Sequence, residues 1–299
     1  MEILEGISTK DMVQNFRELE NNDDVCTVIL KVKNKAFGNT NSYDIKLCGK
    51  SMTDWVANAV YDTKICFGEY NFGDDFLPVV KRVVNSNCKY TLVLFSDTPL
   101  FQRKNFLQIM EYFKIKSLSV LKLTRGYVFE TKYLMQIESL LNPQMQYFEE
   151  EDFMTCLNFK QTAMVNEVLR NRILSYFMKN GVFIEDPTST FIDADCQIAS
   201  GTVIKPFNQI KGHSVIENDV IINSNNIIDD SVILQGATLT NSEIVNSFVG
   251  NNAVIESFCQ IKNNAKICDG VVLPSHCIVD GVVIKPENKL KSFVSYKAE

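Results

Sequence analysis

An aliphatic side chain recurs at every sixth position through most of the C-terminal third of this chain. In the stretch QIASGTVIKPFNQIKGHSVIENDVIINSNNII (197–228), every sixth residue is isoleucine, and the residues between are mostly small or polar. An α-helix repeats every 3.6 residues and a strand every two, so neither explains this spacing. A coil with three flat sides does, because one inward side chain on each side stacks on its equivalent about 18 residues later. The series, which includes three steps of five, is Ile192, Ile198, Ile204, Ile210, Ile216, Ile222, Ile228, Leu234, Leu239, Ile244, Val249, Ile255, Ile261, Ile267, Leu273 and Val279.

The first half of the chain has a different pattern, in which short apolar runs alternate with segments of helical period. Strands separated by helices predict a parallel sheet that is covered on both faces, as in Rossmann-like α/β domains. An additional helix is expected near the N-terminus, in DMVQNFRELE (11–20), and the acidic run FEEED (148–152) predicts a helix start. The predicted strands are 26–32, 90–96 and 117–123, and the predicted helices are 52–60, 74–84, 105–113 and 133–141.

The segment LRNRILSYFMKNGVFIEDP (169–187) joins the two halves. Leu169, Ile173 and Phe177 recur at helical spacing, and Gly181 suits the left-handed position that ends a helix. We therefore predict an α/β domain at 1–160, a linker helix at 161–183 and a β-helix at 184–299.

Charge and composition narrow the classes of partner. The net charge is −6 and no run of Lys and Arg forms a basic stripe, so we expect no nucleic-acid partner. The apolar runs are too short to span a bilayer and the N-terminus does not resemble a secretory signal, so we expect no membrane partner and a cytoplasmic location. The nine cysteines are scattered, which favours reduced thiols over disulfides or zinc sites.

The joint and the repeat together resemble the bifunctional N-acetylglucosamine-1-phosphate uridyltransferase/glucosamine-1-phosphate acetyltransferase family. The resemblance implies a nucleotidyltransferase domain followed by a left-handed parallel β-helix of hexapeptide repeats, assembled as a homotrimer. The implied reaction converts UTP and N-acetylglucosamine 1-phosphate to UDP-N-acetylglucosamine and pyrophosphate.

Three segments of the first half carry the rest of the resemblance. KLCGKSMTDWVANAV (46–60) is similar to a Gly-Lys-Pro-Met turn before a helix, LVLFSDTPLF (92–101) to a strand ending in Gly-Asp-x-Pro-Leu, and MVNEV (164–168) to a Val-Asn element. The match implies that Asp97 and Asn166 are ligands of Mg²⁺. Asp97 follows a predicted strand, where ligands of such sheets bind, and hard oxygens suit magnesium. The alternatives are an Asp-x-Pro turn that caps the next helix and a surface asparagine on a helix.

The phosphate-binding loop of the family has no counterpart here. After the first strand this chain has LKVKNKAFGNTNSYDIKL (30–47), which contains a single glycine, Gly38, where the family has a glycine-rich cradle. The segments that grip the sugar are also shortened. Candidate residues for binding nucleotide and sugar are Lys46, Gly73 and Gly126, of which Gly126 matches a glycine ahead of a strand. Lys31, Lys33 and Lys35 either contact phosphate as well or are solvated.

The repeat ends near Ile284, before the coils that carry the family's acetyltransferase site. His213 and His276 occupy polar places in the repeat, where surface histidines are expected and an acyl-transfer base is the lesser alternative. We do not predict acetyltransferase activity. Two functions remain, a sugar-1-phosphate nucleotidyltransferase with attenuated activity and an inactive family member that serves as an oligomeric scaffold or nucleotide-sensing partner.

Overall fold

The computed structural model describes residues 22–140, 143–148 and 150–297. The helix predicted in 11–20 lies outside the described residues. The chain divides into two compact units, Met1–Leu169 and Arg170–Glu299.

The first unit contains a six-stranded mixed sheet in the order β4-β1-β5-β7-β6-β8. Strands β4, β1 and β5 are parallel to one another, whereas β7 runs antiparallel to both β5 and β6. A two-residue connection joins β6 to β7, and such a short connection permits only antiparallel pairing. Strands β2 and β3 form a separate hairpin. The strands are β1 (Val25–Lys33), β2 (Lys46–Leu47), β3 (Lys50–Ser51), β4 (Lys64–Asn71), β5 (Tyr90–Phe95), β6 (Val120–Leu123), β7 (Gly126–Glu130) and β8 (Gln144–Met145).

Most predicted helices are present, with shifted ends. The helix predicted at 133–141 is shorter, because it begins at Thr131 and ends at Gln136. The acidic run contributes a 3-10 turn, Glu150–Phe153. No helix in the described part of the chain is long and apolar enough to cross a bilayer. The α-helices are α1 (Met52–Asn58), α2 (Leu77–Val83), α3 (Arg103–Ile115), α4 (Thr131–Gln136) and α5 (Phe159–Lys179).

Apolar side chains cover the sheet on both faces, as the sequence predicts. Alternate residues of β1 enter different cores, with Ile29 in one cluster and Val28 and Leu30 in the other. A strand that is buried on both sides reads as a continuous apolar run, which explains why β1 and β5 were predictable. Strand β4 was missed because it is an edge strand in which exposed residues, including Lys64 and Glu69, interrupt the apolar pattern.

The second unit is built from three parallel sheets, the architecture of a left-handed parallel β-helix. The first sheet contains β9 (Phe183–Ile184), β12 (Val203–Ile204), β15 (Ile221–Ile222), β18 (Thr238–Leu239), β21 (Val254–Ile255) and β24 (Val272–Leu273). The second contains β10 (Phe191–Ile192), β13 (Gln209–Lys211), β16 (Ile227–Asp229), β19 (Glu243–Val245), β22 (Gln260–Lys262), β25 (Ile278–Asp280) and β27 (Ser295–Lys297). The third contains β11 (Gln197–Ile198), β14 (Val215–Ile216), β17 (Val232–Ile233), β20 (Phe248–Val249), β23 (Lys266–Ile267) and β26 (Val283–Ile284).

The predicted aliphatic stack is confirmed, with one correction. Ile204, for example, pairs with Ile222 one coil later, and both are fully buried. The inward residue near 234 is Ile233, which is fully buried, whereas Leu234 is only partly buried. The prediction of Leu234 was wrong because the corner before β17 is the shortened one, so that Ile233 comes into register with Ile216.

Polar side chains line two inner corners of the coil. Asn226 N–H donates to Asn208 Oδ1 (2.8 Å), and Ser242 N–H donates to Asn226 Oδ1 (3.0 Å). A shorter ladder joins Ser214, Ser231 and Ser247. Each rung gives a buried backbone N–H a partner at a place where the chain turns and the sheets provide none.

Candidate functional site

Asp97 lies just beyond the carboxyl end of the central strand β5. Its side chain is buried, with 1% of the residue exposed. The neighbouring Ser96 is also buried, and its Oγ accepts a hydrogen bond from Val32 N–H (3.0 Å), which ties the end of β5 to β1. Parallel strands of this kind present their carboxyl ends to ligands, so the structure places Asp97 where the sequence predicts a site.

The partner of Asp97 is an arginine that the sequence did not single out. Arg125 donates from Nε to Oδ1 (3.1 Å) and from Nη2 to Oδ2 (2.7 Å), a two-pronged ion pair. The alternative that Asp97 caps the next helix is wrong, because α3 begins after Gln102, whose own N–H donates to Asn105 Oδ1 (2.8 Å).

Two opposing effects act on the Asp97 carboxyl. Burial raises the pKa of Asp97 above its ordinary value, and the hydrogen bonds and positive charge of Arg125 act in the opposite direction. Burial is the larger effect. A buried carboxylate needs a compensating cation, and Arg125 supplies one.

Asn166 lies on α5 and is engaged by a different part of the unit. Its Oδ1 accepts hydrogen bonds from the Cys48 N–H (3.1 Å) and from the Cys48 thiol (3.5 Å). Cys48 sits at the tip of the β2–β3 hairpin with a φ of 45°. Asn166 therefore fixes a strained turn, and its side chain is bonded to Cys48, whereas that of Asp97 is bonded to Arg125.

The donor set implied for magnesium does not fit the ion as it stands. Mg²⁺ takes about six oxygen ligands at roughly 2.1 Å in near-octahedral geometry. Both oxygens of Asp97 are bound by Arg125, and the amide oxygen of Asn166 is bound by Cys48. Among the described residues, no group of three or more His, Cys, Asp and Glu side chains could hold a metal ion.

The segment after β1 forms a closed loop built on two 3-10 turns, Lys35–Phe37 and Ser42–Asp44. The Phe37 ring is buried and meets Phe159 edge-on at 5.0 Å. Hydrogen bonds within the loop already use the backbone N–H groups of Ala36, Phe37, Gly38, Thr40, Asp44 and Ile45. A phosphate cradle needs several converging N–H groups that are free to donate, and these six N–H groups are not free.

The candidate residues for nucleotide and sugar binding lie in separate turns. Lys46 is exposed on β2, in the hairpin that leads into α1. Gly73 follows β4 with a φ of 99°, and its N–H donates to Tyr70 Oη (3.3 Å). Gly126 opens β7 directly after Arg125, with a φ of 145°.

Gly126 is required by close packing. A Cβ at this position would lie 2.7 Å from the Val93 carbonyl oxygen of β5. The absence of a side chain thus lets β7 approach β5, and that approach brings the adjacent Arg125 to Asp97.

The two histidines of the β-helix occupy outer corners. His213 has 83% of its side chain exposed, with Nδ1 3.4 Å from Asp230 Oδ1. His276 stacks between Phe258 and Phe293, with ring centroids 4.9 and 4.4 Å away.

Comparison with known proteins finds similarity over part of the chain. Residues 188–299 match the family model of the GMPPB C-terminal domain. The chain is 37% identical over 110 residues to the bifunctional protein GlmU of Clostridium novyi (strain NT), a match that covers 37% of this chain and 24% of that protein. It is 34% identical over 137 residues to the bifunctional protein GlmU of Clostridioides difficile (strain 630), covering 44% of this chain and 30% of that protein. The chain thus spans less than a third of the length of these relatives. Residues 188–299 are therefore similar to the GMPPB C-terminal domain, and part of the chain shows distant homology to the bifunctional GlmU proteins.

Proposed function

We propose that this chain keeps the nucleotidyltransferase architecture without catalysing nucleotidyl transfer, and that it serves as an oligomeric scaffold. The observation that carries this proposal is the closed loop after β1. In that loop, six backbone N–H groups are bound to the loop's own oxygens. Phosphoryl transfer depends on groups that are positioned in advance around the phosphates, and these six N–H groups already have acceptors within the loop.

A pyrophosphate-release assay tests the proposal directly. The protein is incubated with UTP, N-acetylglucosamine 1-phosphate and MgCl₂, and compared with Asp97→Ala at equal concentration. We expect no release from the unmodified chain above the level of the variant. Release that depends on Asp97 would refute the scaffold proposal.

The second candidate is a UDP-N-acetylglucosamine pyrophosphorylase of reduced activity, which the position of Asp97 favours. In that function, UTP and N-acetylglucosamine 1-phosphate would bind at the carboxyl ends of the strands, and Asp97 and Asn166 would supply oxygen ligands to Mg²⁺ in place of their present partners, Arg125 and Cys48. Nucleotide-dependent melting curves separate the two candidates. A rise in Tm with UTP that requires magnesium supports the enzyme, and an unchanged Tm with UTP, ATP, GTP and CTP supports the scaffold.

Self-association through the β-helix, as a homotrimer, is the form of scaffold that we propose. The outward row of the first sheet carries no charged side chain along its length, and Phe183 and Val272 at its two ends are 61% and 54% exposed. Its members are Phe183, Val203, Ile221, Thr238, Val254 and Val272. An uncharged row of this kind suits burial against other copies of the chain.

Light scattering after size exclusion measures the assembly. Three copies of the 34.0 kDa chain are expected in one particle. Ile221→Lys places a charge in the middle of the row and should reduce the mass, whereas Val283→Lys, at an exposed outward position of the third sheet, should not. A monomeric mass for the unmodified protein would contradict the trimer.

All nine cysteines are free thiols, which supports a reducing, cytoplasmic setting for this assembly.

A further inference from the structure

Three features hold the ion pair at the end of β5: the pairing of β7 with β5, the close packing at Gly126, and aromatic rings around the guanidinium. Arg125 lies in the two-residue turn between β6 and β7, and β7 pairs with β5 from Val93 to Tyr90. Strand pairing therefore fixes the backbone on which Arg125 stands, and Gly126 allows that pairing to be close.

Aromatic rings fix the guanidinium itself. The guanidinium carbon of Arg125 lies 4.0 Å from the centre of the Phe95 ring and 5.5 Å from that of Phe72. A guanidinium over an aromatic face is attracted by the ring's negative face and is also planar enough to pack on it. With 21% of its side chain exposed, Arg125 has little room to move away from the carboxylate.

The pair balances its own charge. Asp97 contributes one negative charge and Arg125 one positive charge, and both carboxylate oxygens accept hydrogen bonds from the guanidinium. A divalent ion on the same oxygens would lie within a few ångströms of the guanidinium, so the two cations would repel each other. It would also need further oxygen ligands, and Asn166 is engaged by Cys48.

We infer that Arg125 is the built-in counter-ion of Asp97 and takes the place of the divalent cation that the resemblance implies there. The carboxylate is thus part of a permanent structural ion pair at the mouth of the sheet, which holds the end of β5 to the β6–β7 turn without a metal.

Binding of Mn²⁺, measured by the loss of its free electron paramagnetic resonance signal, tests whether Asp97 is a metal site. The unmodified chain and Asp97→Asn are titrated with MnCl₂ from 10 μM to 1 mM. We expect the unmodified chain to bind no more Mn²⁺ than Asp97→Asn does. Binding in the micromolar range that Asp97→Asn abolishes would overturn the inference, and binding that survives Asp97→Asn would locate the ion elsewhere and uphold it.

A double-mutant cycle tests the counter-ion role itself. Asp97→Asn, Arg125→Gln and the double variant are compared by urea denaturation, and Arg125→Lys, which keeps the charge, replaces Arg125→Gln if the latter does not fold. We expect each single variant to unfold at lower urea than the unmodified chain, and the double variant to lose less than the two single losses combined. Strictly additive losses would overturn the inference.

The Arg103–Asp62 ion pair provides the matched control. It is likewise a two-pronged pair, with 11% of the Arg103 side chain exposed. Arg103→Gln combined with Asp97→Asn should show additive losses, because Arg103 is paired with Asp62. The inference and the proposed function can fail separately. Pyrophosphate release by the unmodified chain, together with no Mn²⁺ binding at Asp97, would refute the scaffold proposal and would still support Arg125 as the counter-ion of Asp97.

Discussion

Asn226 provides the sharpest test of how the β-helix is held together. Its side chain is fully buried at an inner corner and makes three hydrogen bonds. Nδ2 donates to Asn208 Oδ1 and to the Asn223 carbonyl, and Oδ1 accepts from Ser242 N–H. In Asn226→Ala both acceptors keep another donor, since Asn208 Oδ1 still receives Asn226 N–H and the Asn223 carbonyl still receives Asn208 Nδ2. Of the three groups bonded to this side chain, only Ser242 N–H loses its hydrogen-bond partner.

The expected loss follows from these contacts. One buried N–H left without a partner costs ~1–3 kcal/mol, and two further bonds that are lost contribute ~0.5–1.5 kcal/mol each, so unfolding should become easier by about 2–6 kcal/mol. With an m-value of ~2 kcal/mol/M, the urea midpoint should fall by about 1–3 M. Asn225→Gly is the matched control, because Asn225 is exposed with a φ of 66° that glycine adopts freely.

Two signals separate the units in this experiment. Far-UV circular dichroism follows the strands of both units, whereas the single tryptophan, Trp55, reports on the α/β unit. We expect Asn226→Ala to shift the dichroism midpoint far more than Asn225→Gly does. A difference between the two variants of less than ~0.5 kcal/mol would refute the ladder as a source of stability.

The β-helix could be predicted from sequence because the six-residue spacing of its aliphatic residues equals the length of one side of the coil. Ile204 and Ile222 are 18 positions apart since one coil separates them. The prediction failed at Leu234 because Ile233 and Leu234 are both apolar, and only pairing with Ile216 selects Ile233. The burial of Asn226 could not be predicted, because it becomes evident only when Asn208 and Ser242 are known to lie on adjacent coils.

In the α/β unit, only the site residue whose position depends on neighbouring sequence could be predicted. Asp97 could be placed at a strand end, because the apolar run before it is continuous. Arg125 could not, since its contact with Asp97 depends on a strand pairing that connects distant parts of the sequence. One signal was present: an arginine beside a glycine, in a two-residue connection between the apolar runs of β6 and β7, indicates a tight hairpin with a basic tip.

Three further predictions follow from individual contacts. Gly126→Ala should lower the Tm of the α/β unit, followed by Trp55 fluorescence, because the new Cβ would press on the Val93 carbonyl oxygen; an unchanged Tm would contradict the close approach. Ser51→Ala should destabilise the same unit by ~0.5–2 kcal/mol in urea denaturation, because the Ser51 hydroxyl caps α1. The third prediction is that the contribution of Asp193, in the β-helix, to stability depends on pH. Burial raises the pKa of its carboxyl above the value in the unfolded chain. The folded state therefore binds the proton more tightly, so this group favours folding most at pH values below its unfolded pKa and costs stability as pH rises through its folded pKa. Asp193→Asn can still accept a hydrogen bond from Gly212 N–H, and it should be the more stable form at pH 7, with the advantage shrinking as pH falls toward 4. Thermal melts of both proteins across that pH range measure the difference in Tm. A Tm advantage of Asp193→Asn that grows on acidification would contradict the prediction.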